Sequence, residues 1–337
     1  MDPALTLKPL LKRGALVAAA NWEVVVAQFI AEAAFKLLLA VPVVGAAFLV
    51  ALLVGGSALD MAAADVRAVL ALVLSALAEH PGALAAYLLG VLVVVVGGAA
   101  LTFLVKGGTV AVLVQAERHA PPVEQPPLRA AVVRRAGTFS LDRFTEGCAR
   151  YFRRYFTLGL VLLTVYAIVG VTYLAVVLGT YRVVAARGPV VGWTLIATVL
   201  SAGLVLGVTV INLLYLLAQL TIAADNCGLR AAMVRVGRFL RRDLRTIAVV
   251  FAAMLAVVGL ATVASILATA GLGFIGFIPV IGLTVLPLQL AAWLARGLIF
   301  QYLGLAALGA YARLYRGSGT ARGVSAHAVH APARTQS

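Results

Sequence analysis

The chain of 337 residues carries few charges for its size: 63% of its residues are hydrophobic, 12% are charged, and the mean hydropathy is +1.07. A soluble domain is about half apolar and about one quarter charged, so this composition excludes a water-soluble fold and favours one whose apolar side chains face lipid. The formal net charge of +15 does not indicate nucleic-acid binding, because the basic residues cluster beside apolar runs, where they mark topology and contact anionic headgroups.

Six apolar runs are long enough to cross a bilayer, which requires about 20 residues. Pro42 interrupts the first run and is expected to kink it. Glycines and a proline between 271 and 279 predict a tight or re-entrant turn before the last run. The chain is therefore predicted to be an all-α integral membrane bundle over 1–316, with a disordered cytoplasmic tail over 317–337. The predicted spans cover about 22–55, 83–105, 156–180, 191–218, 246–271 and 284–312.

Two connectors have features of their own. Residues 57–82 are expected to form an external helix around Met61 to Glu79, which Pro81 ends. The segment from His119 to Leu128 is rich in proline and predicts an extended linker.

The basic residues lie mainly on one side of the predicted spans. Almost all of the 27 Lys and Arg residues fall near the N-terminus, between spans two and three, between spans four and five, or near the C-terminus. The opposite connectors hold only Arg67, Arg182 and Arg187. Since cytoplasmic loops carry the excess of Lys and Arg, the pattern predicts a protein of the cytoplasmic membrane with both termini inside. Cys148 and Cys227 fall on that reducing side, so no disulfide is expected.

A short basic pattern recurs before the odd-numbered spans. The segments from Arg150 to Arg154 and from Arg238 to Arg242 both read R-x-x-R-R and lead directly into an apolar run. A weaker version, from Lys8 to Arg13, precedes the first span. The recurrence predicts a unit of one amphipathic cytoplasmic helix followed by a transmembrane hairpin, used three times.

At 100° per residue, both arginine-rich segments place apolar side chains on one face and arginines on another. Such helices lie in the membrane interface, where arginines reach lipid phosphates. The alternative is that these arginines serve only as stop signals for insertion. The residues expected to bind lipid headgroups or a partner are Arg143, Arg150, Arg153, Arg154, Arg235, Arg238, Arg241, Arg242 and Arg245.

Polar side chains form stripes within the apolar runs, and ionisable residues at membrane depth indicate function by default. Glu32 is expected to pair with Lys36 or Arg296. The stripes could line a solute or headgroup pathway, could form a structural ion pair, or could lie in the interface if the first span begins near Leu37. The predicted intramembrane polar core consists of Gln28, Glu32, Lys36, Asn212, Gln219, Gln289 and Arg296.

The sequence contains no familiar catalytic motif. It lacks the G-x-S-x-G, Walker A, H-E-x-x-H and C-x-x-C patterns, so we expect neither catalysis nor a cofactor. Glu117, His119 and Glu124 have metal-ligating side chains, but a proline-rich linker is poorly suited to holding ligand geometry. No metal site is predicted.

The alternation of basic helices and hairpins resembles a group of bacterial multi-pass membrane proteins, typified by the membrane domain that accompanies some glycerophosphodiester phosphodiesterases. Asp225-Asn-Cys-Gly228, the arginine-rich helix after it, and the segment from Gly309 to Tyr315 carry the likeness, which covers most of the chain. The resemblance implies a membrane-domain fold. It does not imply hydrolysis, because the soluble catalytic domain of that family is not present in these 337 residues.

Two functions remain open from the sequence. The first is a non-catalytic membrane module that binds anionic lipid, a membrane protein partner or a second copy of itself through its basic helices. The second is a small permease with a polar route around Glu32, Lys36 and Arg296. Transporters of this size show paired broken helices, and here only Pro42 and the segment from 271 to 282 interrupt a span, which favours the first function.

Overall fold

The computed structural model describes residues 6–54, 81–125, 129–185, 190–276 and 279–329. In these residues every regular element is a helix, which confirms the all-α prediction. The external helix predicted around Met61 to Glu79 lies outside the described residues. The helices are α1 (Leu7–Ala20), α2 (Trp22–Val54), α3 (Pro81–His119), α4 (Ala130–Arg135), α5 (Leu141–Ala185), α6 (Val190–Asp225), α7 (Leu229–Gly276) and α8 (Pro279–Val329).

Among the described residues, six helices are long and apolar enough to cross a membrane, one for each predicted span. Several of these helices are longer than the predicted apolar span that each contains. The 45 residues of α5 extend about 68 Å at 1.5 Å per residue, roughly twice the 30 Å hydrocarbon core of a bilayer. A large part of such a helix therefore extends beyond the hydrocarbon.

The three predicted amphipathic segments join their spans in different ways. The first is α1, which ends where Asn21 leaves the helical region with φ −118° and ψ 47°. The third ends at a kink in α7, where Asp243 has φ −116° and ψ 24°. The second runs into its span as one helix, α5, because residues 151–157 contain neither glycine nor proline to interrupt it.

The chain divides into two compact units, residues 27–105 and the remainder. In the larger unit, the last turns of α3 and α6 meet the first turns of α5 and α7. Arg118 of α3 donates to the carbonyl of Ala224 in α6, and Arg154 of α5 donates to the side chain of Asn226, 2.8 Å away, between α6 and α7. We call this region the basic end.

Side-chain burial differs along the long helices of the larger unit. At the basic end, several large side chains are at most 2% exposed, among them Tyr155, Phe239 and Tyr311. Farther along α6 and α7, many apolar side chains are exposed, and Val199 and Leu260 are both 72% exposed. A packed core at the basic end and bare apolar helices beyond it fit a protein whose exposed helices lie in lipid.

Helix α1 packs closely against α8 because both helices have a glycine where they cross. A Cβ atom on Gly14 would lie 2.7 Å from the backbone nitrogen of Ala310, and one on Gly309 would lie 3.1 Å from the Cα of Gly14. The hydroxyl of Tyr302 in α8 donates to the carbonyl of Ala15, 3.0 Å away. The N-terminal basic segment is thereby fixed to the last helix.

In the smaller unit, Gly98 of α3 lies against the ring of Phe35 in α2. This contact leaves no room for a side chain at position 98, so the glycine lets the two helices approach.

Two boundaries near the C-terminus can be compared with the sequence prediction. The change from α7 to α8 falls at 277–278, inside the predicted turn, and these two residues lie outside the described part. Helix α8 continues to Val329, beyond the predicted start of a disordered tail at 317. Alanines at 321, 326 and 328 favour this continuation because alanine has the highest helix propensity. Residues 330–337 lie outside the described part.

Candidate functional site

A cleft of about 360 Å³ opens at the basic end between α3 and α5. Its size falls within the range typical of small-molecule sites. Three arginines, one histidine and one glutamate line it, so its formal charge is strongly positive. We call it the arginine cleft. Its lining residues are Ala111, Val114, Gln115, Arg118, His119, Arg143, Glu146, Gly147, Arg150, Tyr151 and Ala223.

Backbone atoms hold two of the cleft arginines in place. Arg118 donates to the carbonyl of Ala224, and Arg143 donates to the carbonyl of Thr138, 3.3 Å away. A guanidinium group has five N–H donors in a rigid fork. These contacts therefore orient each arginine and leave further donors for a ligand.

The third cleft arginine, Arg150, lies beside a carboxylate and an aromatic ring. Its Nη1 atom is 3.9 Å from Oε1 of Glu146, and its guanidinium carbon is 5.9 Å from the centre of the Tyr151 ring. Both side chains of the ion pair are at least half exposed, so the pair contributes little to stability. Arg150 can exchange this partner for an anion at low cost.

Glycines set the width of the arginine cleft where α3 crosses α5. A Cβ atom on Gly147 would lie 2.7 Å from the Cβ of Ala111, and one on Gly108 would lie 2.7 Å from the sulfur of Cys148. Larger residues at these positions would separate the helices. Cys148 is buried as a free thiol at this crossing, and Cys227 is a half-buried free thiol.

The turn from Asp225 to Gly228 connects four helices next to the cleft. Asp225 forms an ion pair with Arg235 of α7 and accepts a hydrogen bond of 2.6 Å from the hydroxyl of Tyr315 in α8. Asn226 has a positive φ of 47° and accepts from Arg154 of α5. This turn carried part of the resemblance inferred from the sequence, and in the structure it is a packing junction.

A buried charge cluster joins α1 to α3. Arg13 is 4% exposed and Glu117 is fully buried. The Nε atom of Arg13 lies 2.9 and 2.8 Å from the two carboxylate oxygens of Glu117, and its Nη1 atom lies 2.8 Å from Oε2 of Glu124. We call these three residues the Arg13 cluster. Burial by itself lowers the pKa of Arg13, but the two carboxylates outweigh this effect and the pKa is raised.

The Arg13 cluster also fixes the proline-rich linker and the last helix. Arg13 donates to the carbonyls of Ala120 and Pro121, both 3.1 Å away, and Lys12 donates to the carbonyl of Glu124, 2.8 Å away. Arg316 of α8 donates to the backbone carbonyl of Glu117, 2.6 Å away. The linker is therefore held in place as far as residue 125, although its proline content predicts a segment without fixed geometry.

The structure distributes the predicted headgroup-binding arginines over three settings. Arg143 and Arg150 line the arginine cleft, while Arg154 and Arg235 hold the turn after α6. The other five are exposed on the surface of α5 and α7, namely Arg153, Arg238, Arg241, Arg242 and Arg245.

Some members of the predicted polar core have local partners, whereas the buried side-chain oxygen of Gln28 has no hydrogen-bond partner within the described residues. Glu32 pairs with Lys36 at 2.7 Å, which is one of its two predicted partners. Gln289 donates to the carbonyl of Leu272, 3.3 Å away, and the guanidinium carbon of Arg296 is 5.8 Å from the centre of the Phe300 ring.

Two further members of the predicted polar core lie on α6. Asn212 accepts from the hydroxyl of Tyr166. Gln219 is 5% exposed, and its backbone carbonyl accepts from the hydroxyl of Tyr155, 2.8 Å away. Gln28 is half-buried in α2. That the stripes face one another stays a prediction.

Sequence reasoning did not identify Arg13, Arg118 or Glu117 as members of a site. Arg13 and Glu117 are separated by 104 positions, so no local periodicity links them. One signal was present: Glu117 and Glu124 are acidic residues in a stretch that is otherwise strongly basic. In the described residues, no group of three or more His, Cys, Asp or Glu side chains is placed to hold a metal ion.

No protein-family model, no curated protein and no solved structure matches this chain.

Proposed function

We propose that this chain is a non-catalytic, multi-pass protein of a bacterial cytoplasmic membrane that binds anionic lipid headgroups at its basic end. In this arrangement both termini and the basic end face the cytoplasm, as the excess of Lys and Arg on that side indicates. The likeness to the membrane domain of glycerophosphodiester phosphodiesterases agrees with such a module and adds no activity to it.

The observation that carries the proposal is the meeting of arginine-rich segments at one end of the larger unit. Arg154 and Arg235 both bond the turn after α6, so the segments 141–155 and 229–245 lie at the same end. Both segments also carry exposed arginines, such as Arg153 and Arg241. A cationic surface of this kind attracts anionic lipid with about 1 kcal/mol per Lys or Arg near the membrane.

The position of these arginines along the helices favours lipid as the ligand. On α5, Arg153 and Arg154 are followed within two turns by Leu160 and Val161, which are 49% and 45% exposed. Two turns of an α-helix rise about 11 Å, and an arginine side chain can extend along the helix to the headgroup layer. The cationic and lipid-facing surfaces are therefore adjacent, as headgroup binding requires.

Lipid retention in mild detergent tests the proposal. We expect native mass spectrometry of the purified protein to show more bound phosphatidylglycerol than phosphatidylcholine, with the difference decreasing as ionic strength rises. Replacing Arg238 and Arg241 with glutamine removes two charges worth about 1 kcal/mol each, so the affinity for phosphatidylglycerol should fall roughly 30-fold.

Arg182, at the opposite end of α5, provides the matched control. It is also an exposed arginine, and Arg182→Gln should leave phosphatidylglycerol retention unchanged. Equal retention of the two lipids by the unaltered protein would contradict the proposal. A second result would also contradict the proposal: a protein that co-purifies in stoichiometric amount and is lost when Arg238 and Arg241 are replaced, while lipid retention stays constant. The basic end would then bind a protein partner.

A further inference from the structure

We infer that the arginine cleft is a specific site for a phosphomonoester group, distinct from the diffuse attraction of the basic surface for any anionic lipid. The inference rests on the proposed function, since it names the ligand class of one part of the same basic end. It is drawn from the charge, donors, shape and position of the cleft.

The charge of the cleft matches a dianion. With His119 counted as neutral, Arg118, Arg143 and Arg150 carry three positive charges and Glu146 carries one negative charge, which leaves a formal charge of about +2. A phosphomonoester carries about −1.5 to −2 at pH 7. The phosphodiester of an ordinary anionic phospholipid carries only one negative charge, so it would leave one arginine charge without compensation in the cleft.

The donors of the cleft come from two helices on opposite walls. Arg118 belongs to α3, and Arg143 and Arg150 lie seven residues apart on α5, which places them on the same face two turns apart. Guanidinium groups bind phosphate oxygens through paired, charge-assisted hydrogen bonds. The three terminal oxygens of a phosphomonoester can accept from donors on both walls at once, whereas a diester presents only two such oxygens.

The shape of the cleft is fixed by backbone contacts. The crossing of α3 and α5 at Gly108 and Gly147 leaves no space for side chains. Tyr151, which lines the cleft, is 6% exposed and its hydroxyl donates to the carbonyl of Ala223, 3.4 Å away. A site held open by packed helices does not have to be ordered when the ligand binds, which favours affinity.

The phosphomonoester could belong to a lipid headgroup or to a soluble molecule. Arg150 precedes the exposed apolar side chain of Leu160 by ten residues, about 15 Å along α5. A lipid phosphate drawn up from the headgroup layer and a phosphate arriving from the cytoplasm can both approach a cleft at this height. The two sources share the recognised group, so the experiment below separates them.

Three probes are compared on the full-length protein in mild detergent: phosphatidic acid, which is a monoester lipid; phosphatidylglycerol, which is a diester lipid; and inorganic phosphate. Phosphatidylcholine, which carries no net charge, serves as the reference lipid. We expect phosphatidic acid to bind at least about tenfold more tightly than phosphatidylglycerol, because it gains at least one charge-assisted hydrogen bond. Competition by millimolar inorganic phosphate would show that the cleft takes the soluble group. A lack of competition would assign the site to the lipid headgroup.

Two triple variants test whether the cleft causes this preference. One replaces Arg118, Arg143 and Arg150 with glutamine, and the other replaces Arg153, Arg238 and Arg241, which are exposed outside the cleft. Both lose three positive charges, so both should bind phosphatidylglycerol more weakly. Only the cleft variant should lose the preference for the phosphomonoester. Arg143→Gln alone, which removes a single bond to the Thr138 carbonyl, should reduce the preference if the triple variant does not fold.

The outcomes separate this inference from the proposed function. Equal binding of phosphatidic acid and phosphatidylglycerol, both tighter than phosphatidylcholine, would overturn the cleft site and leave the proposed function standing. A preference for phosphatidic acid that persists in the folded cleft variant would also overturn it. Equal binding of all three lipids would contradict the proposed function itself.

Discussion

Arg13 in the first helix and Glu117 at the end of the third form a buried ion pair, in which Nε of the arginine contacts both carboxylate oxygens. The two residues are 104 positions apart in the sequence. Glu117 is fully buried and Arg13 is 4% exposed, so neither charge is solvated by water. The backbone carbonyl of Glu117 also receives Arg316 of the last helix. The pair therefore joins three helices that are far apart in the chain.

Removing one partner of this pair should destabilise the protein strongly. Arg13→Met leaves the carboxylate of Glu117 buried without its main cation, which typically costs about 3 to 5 kcal/mol. The expected readout is a clear fall of the melting temperature in detergent. The double variant Arg13→Met, Glu117→Leu should recover part of the loss, because the fully buried carboxylate is removed together with its cation, while Glu124, whose side chain is 12% exposed, still loses its partner.

Lys8→Gln is the control for this prediction, since Lys8 is an exposed cation of the same helix. The free energy of unfolding of this variant should stay within about 0.5 kcal/mol of that of the unaltered protein. If Arg13→Met and Lys8→Gln had the same small effect, the Arg13 cluster would have no role in holding α1.

The crossing of α1 and α8 should not tolerate a methyl group on its glycine. Gly14→Ala places a Cβ atom against the backbone of Ala306 and Ala310, and overpacking of this kind typically costs about 1 to 3 kcal/mol. Gly304→Ala on α8 is the matched control, because a Cβ atom there meets nothing within 4 Å. Thermal unfolding of both variants should show loss for the first and none for the second. Equal melting temperatures would contradict the close crossing.

The turn at Asn226 should distinguish a backbone effect from a side-chain effect. Its φ of 47° is costly for alanine by about 1 to 2 kcal/mol and costs glycine nothing. Asn226→Ala should therefore be less stable than Asn226→Gly in chemical or thermal unfolding. The glycine variant should still lose about 1 kcal/mol, since the acceptor of Arg154 is gone. A glycine variant less stable than the alanine variant would contradict the positive φ.

The polar stripe of the apolar helices should be dispensable for lipid binding. Glu32 pairs with Lys36 on its own helix, and these side chains are 37% and 61% exposed, so Arg296 is not required to neutralise Glu32. We expect the double variant Glu32→Leu, Arg296→Leu to fold and to retain phosphatidylglycerol as the unaltered protein does. A folded double variant that had lost lipid retention would contradict this expectation.

The sequence predicts the number and approximate position of the long helices, because each apolar run is a local signal of the correct length. It does not predict how far each helix continues. Helix α3 extends from Pro81 to His119, whereas its apolar run ends at Lys106. A helix needs only compatible backbone conformations, so charged residues end the apolar run without ending the helix.

The candidate site was predicted in part. Arg143 and Arg150 could be identified because they repeat at helical spacing beside an apolar span, and both line the arginine cleft. Arg118 could not, since its place in the cleft depends on the crossing of α3 and α5 at Gly108 and Gly147. Helix crossings of this kind are long-range relations that periodicity within one segment does not reveal.

The proposed function requires that the basic end lie inside the cell while the exposed apolar helices cross the membrane. Single cysteines at positions 143, 182 and 241, in a protein whose Cys148 and Cys227 are replaced by alanine, report this directly through labelling with a membrane-impermeant maleimide. We predict that whole cells label position 182 alone, and that positions 143 and 241 react only after the membrane is permeabilised. Labelling of position 143 or 241 in intact cells, or labelling of positions 182 and 241 from the same side, would contradict this membrane topology.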